Sequence, residues 1–77
     1  MFEYYICNGA NEVIYEKQCL AIEKNIPGVI KEDLLVDVDN SKIQSYRVGN
    51  SLISVHYYYY MNGVYVKSEI DLEKIIK

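Results

Sequence analysis

Tyr57-Tyr58-Tyr59-Tyr60-Met61-Asn62-Gly63-Val64 is the stretch on which the fold turns. Four consecutive tyrosines are strong β-formers, and the Asn-Gly that follows offers the two positive-φ residues of a type I′ turn, whose twist suits a hairpin. A two-residue turn at Asn62-Gly63 predicts Met61 opposite Val64, Tyr60 opposite Tyr65, Tyr59 opposite Val66, Tyr58 opposite Lys67, Tyr57 opposite Ser68 and His56 opposite Glu69. Strand alternation then divides the hairpin into two faces. Ile53, Val55, Tyr57, Tyr59 and Met61 share a core face with Val64, Val66 and Ile70. His56, Tyr58, Tyr60, Tyr65, Lys67 and Glu69 share the other, a patch of phenol rings beside one imidazole, one ammonium and one carboxylate.

Upstream, Phe2-Glu3-Tyr4-Tyr5-Ile6-Cys7 reads as a strand with Phe2, Tyr4 and Ile6 inward. Residues 10–26 contain a run of good helix formers and stop at Pro27-Gly28. Their apolar stripe is double: Val13, Ile14, Leu20 and Ala21 gather on one side, and Tyr15, Cys19, Ile22 and Ile26 on another. Helix throughout is the preferred reading, with residues 12–16 extended as its alternative. Leu34 to Asp39 reads as a strand closed by the turn Asp39-Asn40-Ser41-Lys42. Ile43 to Val48, Ser51 to Tyr60 and Val64 to Ile70 follow as strands, with Gly49-Asn50 closing the first. Asp71 can cap a short helix whose Leu72, Ile75 and Ile76 fold back on the sheet. The expected fold is α+β, a single-domain two-layer sandwich: an N-terminal strand and helix, a four-stranded antiparallel meander and a short C-terminal helix.

At 77 residues, 51% hydrophobic and 25% charged, the chain has the composition of one globular domain. A fold this small buries only about 60% of its unfolded surface, so a partner or a second copy would add stability. Homodimerisation through the long hairpin is one such arrangement. The net charge is −3, and the eight basic residues are seven lysines and Arg47. This argues against gripping duplex DNA, where clustered guanidinium and ammonium groups are needed. It fits a protein partner better. No apolar run is long enough to span a bilayer, and no signal stretch precedes Cys7 and Cys19, so a reducing cytoplasm is expected, with both thiols buried as small hydrophobes. Isoleucine, lysine, asparagine and tyrosine are abundant, all with AT-rich codons, which points to an AT-rich genome such as that of a low-GC bacterium or its phage.

The chemistry-bearing residues are few. His56 is the sole histidine; Glu69 opposite it would raise its pKa, and Ser54 and Ser68 are the nearest candidate nucleophiles. No glycine-rich oxyanion loop accompanies them, so no catalytic residue is assigned and the chain is read as a non-enzyme. Cys7, Cys19 and His56 lack the short spacing of a zinc site, and Asp33, Asp37 and Asp39 lack the glycine of a calcium loop, so no metal or cofactor is expected. The partner-binding candidates are Tyr58, Tyr60, Tyr65, Lys67, His56 and Glu69, because tyrosine buries large area at low entropic cost and keeps a polar tip. The same face could instead be a half-solvated sheet surface held by cross-strand pairs. The leading expectation is a phage- or mobile-element-encoded inhibitor of a host protein, of the anti-CRISPR kind. The alternatives are a nucleotide or single-stranded nucleic-acid module that stacks bases on the tyrosines, and a small regulatory domain.

Overall fold

A computed structural model describes residues 2–7, 12–38, 40–58 and 63–76, apart from the side chains of Cys7 and Ile76. The elements are β1 (Phe2–Cys7), α1 (Glu12–Asn25), β2 (Ile30–Val36), β3 (Lys42–Val48), β4 (Ser51–Tyr58), β5 (Gly63–Ser68) and α2 (Glu73–Ile76). The strands form one sheet in the order β1-β5-β4-β3-β2, with every neighbouring pair antiparallel. β2 to β5 make the four-stranded meander, and β1 joins it by pairing with β5. Both helices pack on one face, which gives the expected two-layer α+β sandwich.

The helix shows which of its two apolar stripes is the core stripe. Tyr15, Cys19, Ile22 and Ile26 are buried, while Val13 and Leu20 are 62% and 54% exposed. The buried stripe meets Tyr46, Ile53, Val55, Tyr57, Val64 and Val66 from the sheet, and Leu72 closes the cluster. The rings of Tyr15 and Tyr57 meet edge to face at 5.8 Å, a favoured aromatic geometry. Tyr46 is fully buried, yet its hydroxyl donates to Glu23 Oε2 at 2.6 Å, so its polar end is satisfied at the helix margin. Residues 12–16 are helical, and the helix stops where Pro27 and the positive-φ Gly28 turn the chain.

The boundaries of β2 differ from the sequence reading. The strand begins at Ile30 and ends at Val36, because Asn40 takes the left-handed conformation and Asp37 closes the turn. Asp37 N–H donates to the Ser41 carbonyl at 2.8 Å, and the Asp37 carboxylate accepts from Val38 N–H at 2.7 Å. Val38, expected within the strand, is fully exposed in that turn. Lys31, Glu32 and Asp33 are tolerated in β2 because it is an edge strand, and a bulge lies between Lys31 and Leu34.

The long hairpin keeps its faces and changes its register. Tyr58 pairs with Gly63, Tyr57 with Val64, His56 with Tyr65, Val55 with Val66 and Ser54 with Lys67. Gly63 thus belongs to β5 and not to a two-residue turn; Tyr59, Tyr60, Met61 and Asn62 lie outside the described residues. Each partner differs from the expected one by four positions, an even number, so every described side chain stays on its predicted face. The two-residue turn occurs one hairpin earlier: Val48 faces Ser51 across Gly49-Asn50, and Gly49 at φ 60° suits a type II′ turn. β5 ends at Ser68, two residues early, because the buried Ser68 hydroxyl accepts from Ile70 N–H and donates to Ile70 C=O. Phe2, expected inward, is 43% exposed at the start of an edge strand and stacks on Tyr4.

Tyr4 links the two ends of the described chain. Its hydroxyl donates to Asp71 Oδ1 and accepts from Leu72 N–H, both at 2.9 Å, while Asp71 Oδ1 also accepts from Glu73 N–H. The Glu73 amide and the Tyr4 hydroxyl hold the Asp71 carboxyl below its usual range. Asp71 therefore caps α2 as expected.

Candidate functional site: the open face of the sheet

The helices cover the face that carries Val55, Tyr57, Val64 and Val66. On the opposite face no described element packs, and alternation places Ser54, His56 and Tyr58 of β4 there, beside Tyr65 and Lys67 of β5. Register sets His56 against Tyr65, and the two rings lie parallel with centroids 4.5 Å apart. Tyr58 stacks on both, at 5.7 Å from His56 and 5.4 Å from Tyr65. Tyr5 of β1 extends the row, with its ring 5.7 Å from that of Tyr65. The Lys67 ammonium sits 5.6 Å from the Tyr65 ring centroid, within cation–π range.

A chain of polar atoms runs through the stack. Ser54 Oγ lies 2.7 Å from His56 Nε2, the Tyr58 hydroxyl lies 3.3 Å from Nδ1, and the Tyr65 hydroxyl donates to that of Tyr58 at 3.2 Å. With both ring nitrogens partnered, a neutral imidazole donates through one and accepts through the other. Burial lowers the His56 pKa to about 4, and the Lys67 ammonium pushes it the same way. His56 is thus a neutral, hydrogen-bonded strut at pH 7. Burial also raises the Tyr65 pKa, aided by its bond to Tyr58.

The expected pairing of His56 with Glu69 does not form. Glu69 lies beyond the end of β5, where its carboxylate accepts from Leu52 N–H at 2.7 Å and its own N–H donates to the Leu52 carbonyl. The carboxylate closes the strand end, and the predicted rise in the imidazole pKa is replaced by a fall. Of the six candidate residues, the structure joins His56, Tyr58, Tyr65 and Lys67; Glu69 stands apart, and Tyr60 lies outside the described residues.

Beside the stack the open face is concave. Ser45, Arg47, Ser54, His56 and Lys67 line a groove of about 520 Å3, and Glu32, which also lines it, holds Arg47 at 3.3 Å. Ser54 follows from alternation, two residues before His56. Ser45, Arg47 and Tyr5 depend on which strands flank the hairpin, and no local pattern encodes that. Cys19 sits on the helix face and His56 on the open face, so the sheet separates two of the ligands considered for a metal. Among the described residues Cys19 is a free, buried thiol whose pKa burial raises, the state of an inert packing residue.

The fold and this face define a class: a small two-layer α+β domain with an aromatic sheet surface that no described element covers. No family model, curated protein or solved structure matches the chain.

Proposed function

We propose that the protein is a non-enzymatic binding domain that presents the open sheet face to a protein partner. The observation that carries this is the ladder of His56, Tyr58 and Tyr65, stacked and hydrogen-bonded on a face that neither helix covers. Rings fixed before contact lose little entropy on binding, and a mixed aromatic and charged surface is typical of interfaces outside obligate dimers. The non-enzymatic part has its own support. Ser54 and His56 resemble a nucleophile and base, but the second imidazole nitrogen faces a phenol in place of a carboxylate, and a pKa near 4 makes a weak base at pH 7.

The more particular form of the reading, a phage-encoded inhibitor of a host protein acting in the cytoplasm, draws on chain length, mild acidity and AT-rich composition. The test is affinity capture from the lysate of a low-GC bacterium with the natural chain and with an Arg47→Glu, Lys67→Glu variant. Neither side chain belongs to the buried core, so the fold should survive. A stoichiometric partner lost with the double variant supports the reading; equal capture by both chains rejects this face.

One observation favours a second reading, a nucleotide or single-stranded nucleic-acid site. Arg47, Lys67 and the serines Ser45 and Ser54 line one groove together with Glu32, Ile43 and Leu52, and its volume falls in the range of small-ligand sites. Titration of mononucleotides, followed through the His56 ring protons, separates the readings: saturable shifts favour the ligand, and unchanged spectra favour the protein partner.

A further inference from the structure

β2 is an end strand, and its second half is unusually bare. Leu34, Leu35 and Val36 are 48%, 62% and 58% exposed, with Ile30 at 57% before them and Val38 at 100% after them. These side chains lie on both faces of the sheet. Register places Leu34 and Val36 on the helix side, opposite Gln44 and Lys42, and Leu35 on the open side, opposite Ile43. Leu34 shares a groove of about 350 Å3 with Leu20 of α1, itself 54% exposed, so the apolar surface continues onto the helix.

The backbone of this segment is also available. Asp37 N–H bonds to the Ser41 carbonyl, and in an antiparallel ladder hydrogen-bonded pairs alternate with non-bonded ones. Leu35 and Ile43 are therefore the next bonded pair, and Leu34 and Val36 turn their N–H and C=O groups to the free edge. Edge strands are normally blunted by charge or by a bulge. β1 has Glu3 and a bulge between Tyr5 and Cys7, and the first half of β2 has Lys31, Glu32, Asp33 and its own bulge. Leu34-Leu35-Val36 has neither.

From this edge we infer that the protein forms a two-fold homodimer by antiparallel pairing of β2 with β2 of a second copy, centred on Leu35. The segment is self-complementary in that register. Leu34 faces Val36 of the other copy twice, Leu35 faces itself, and the four outward N–H and C=O pairs meet one another. The area fits: the five exposed side chains of β2 and its turn carry on the order of 350 Å2 of apolar surface per copy, against about 800 Å2 per partner, a little over half of it apolar, in a standard interface. The pairing makes a continuous ten-stranded sheet and leaves both open faces free, so it is independent of partner binding there. The same register brings Asp33 of the bulge near Asp37 of the second copy at each end, so added salt tightens the dimer by screening.

Sedimentation equilibrium of the natural chain from micromolar to millimolar concentration tests this, with Leu35→Lys and Leu52→Lys beside it. Leu52 is 49% exposed on the open face and serves as a control of equal chemistry. The expected result is a mass rising from 9.0 kDa toward twice that value, abolished by Leu35→Lys, retained by Leu52→Lys and enhanced by salt. A monomer at millimolar concentration, a dimer indifferent to Leu35→Lys, or one weakened by salt would overturn the inference.

Discussion

The imidazole of His56 and the phenol ring of Tyr65 lie face to face, parallel and 4.5 Å apart, because β4 and β5 pair them directly. Tyr58 partners His56 Nδ1, and Ser54 partners Nε2. The histidine is held as a neutral ring inside an aromatic stack, and its titration therefore reports on the open face.

His56 should titrate near pH 4 by nuclear magnetic resonance, and its depressed pKa sets the sign of the pH dependence. The unfolded chain binds the proton near pH 6.5 and the folded chain only near 4, so stability is full above about 6.5 and falls as pH drops through that window. The loss is on the order of 2–3 kcal/mol by pH 4. Urea unfolding at pH 7 and pH 4.5 checks it, and His56→Gln should flatten the difference. Lys67→Gln should raise the His56 pKa, because it removes a neighbouring positive charge.

Replacing Tyr65 by leucine keeps an apolar side chain but removes the stack. A loss of about 0.5–1.5 kcal/mol is expected from the aromatic pairing alone. His56, less shielded, should then titrate closer to 6.5. Thermal unfolding and the imidazole proton shifts measure the two effects separately.

Ile22 is fully buried and Val13 is 62% exposed on the same helix. Ile22→Ala should cost about 2–5 kcal/mol and Val13→Ala within about 0.5 kcal/mol, as measured by denaturant unfolding. Equal costs would mean that both stripes of α1 are packed.

Tyr46→Phe removes a hydroxyl that donates at 2.6 Å to Glu23 and leaves the ring in place. Glu23 keeps Lys31 at 3.6 Å, so the carboxylate is not stranded. A cost of about 1–2 kcal/mol is expected in the same unfolding assay.

Asp71→Ala removes the acceptor shared by Glu73 N–H and the Tyr4 hydroxyl. Amide exchange at Leu72 and Glu73 should accelerate while the β4 amides hold. Tyr4→Phe should accelerate exchange at Leu72, whose acceptor is the lost hydroxyl, and change Glu73 less, because Asp71 still accepts from that amide.

The sequence was most legible where period 2 governed it. Alternation places residues 53–57 and 64–68 on their observed faces even though the pairing differs from the one Asn62-Gly63 predicts, since a slip of four positions cannot move a side chain across the sheet. The register is not legible because Asn-Gly is a strong local turn signal that sheet pairing overrides at Gly63. The two stripes of α1 are nearly equal in apolar content, and only the position of the sheet decides between Leu20 and Ile22. The pairing of β1 with β5, which brings Tyr5 beside Tyr65, is a non-local choice with no sequence period to announce it. The misplacement of Glu69 and the inverted pKa of His56 both follow from the register error.

The most direct test of the open face as a binding surface is lysine acylation, read by mass spectrometry, on the free protein and on the captured complex. Lys67 lies on that face, whereas Lys17 and Lys24 are exposed on α1. Strong protection of Lys67 in the complex is expected, with Lys17 and Lys24 unchanged. Lys67 as reactive in the complex as in the free chain, with Lys17 or Lys24 protected, would contradict it.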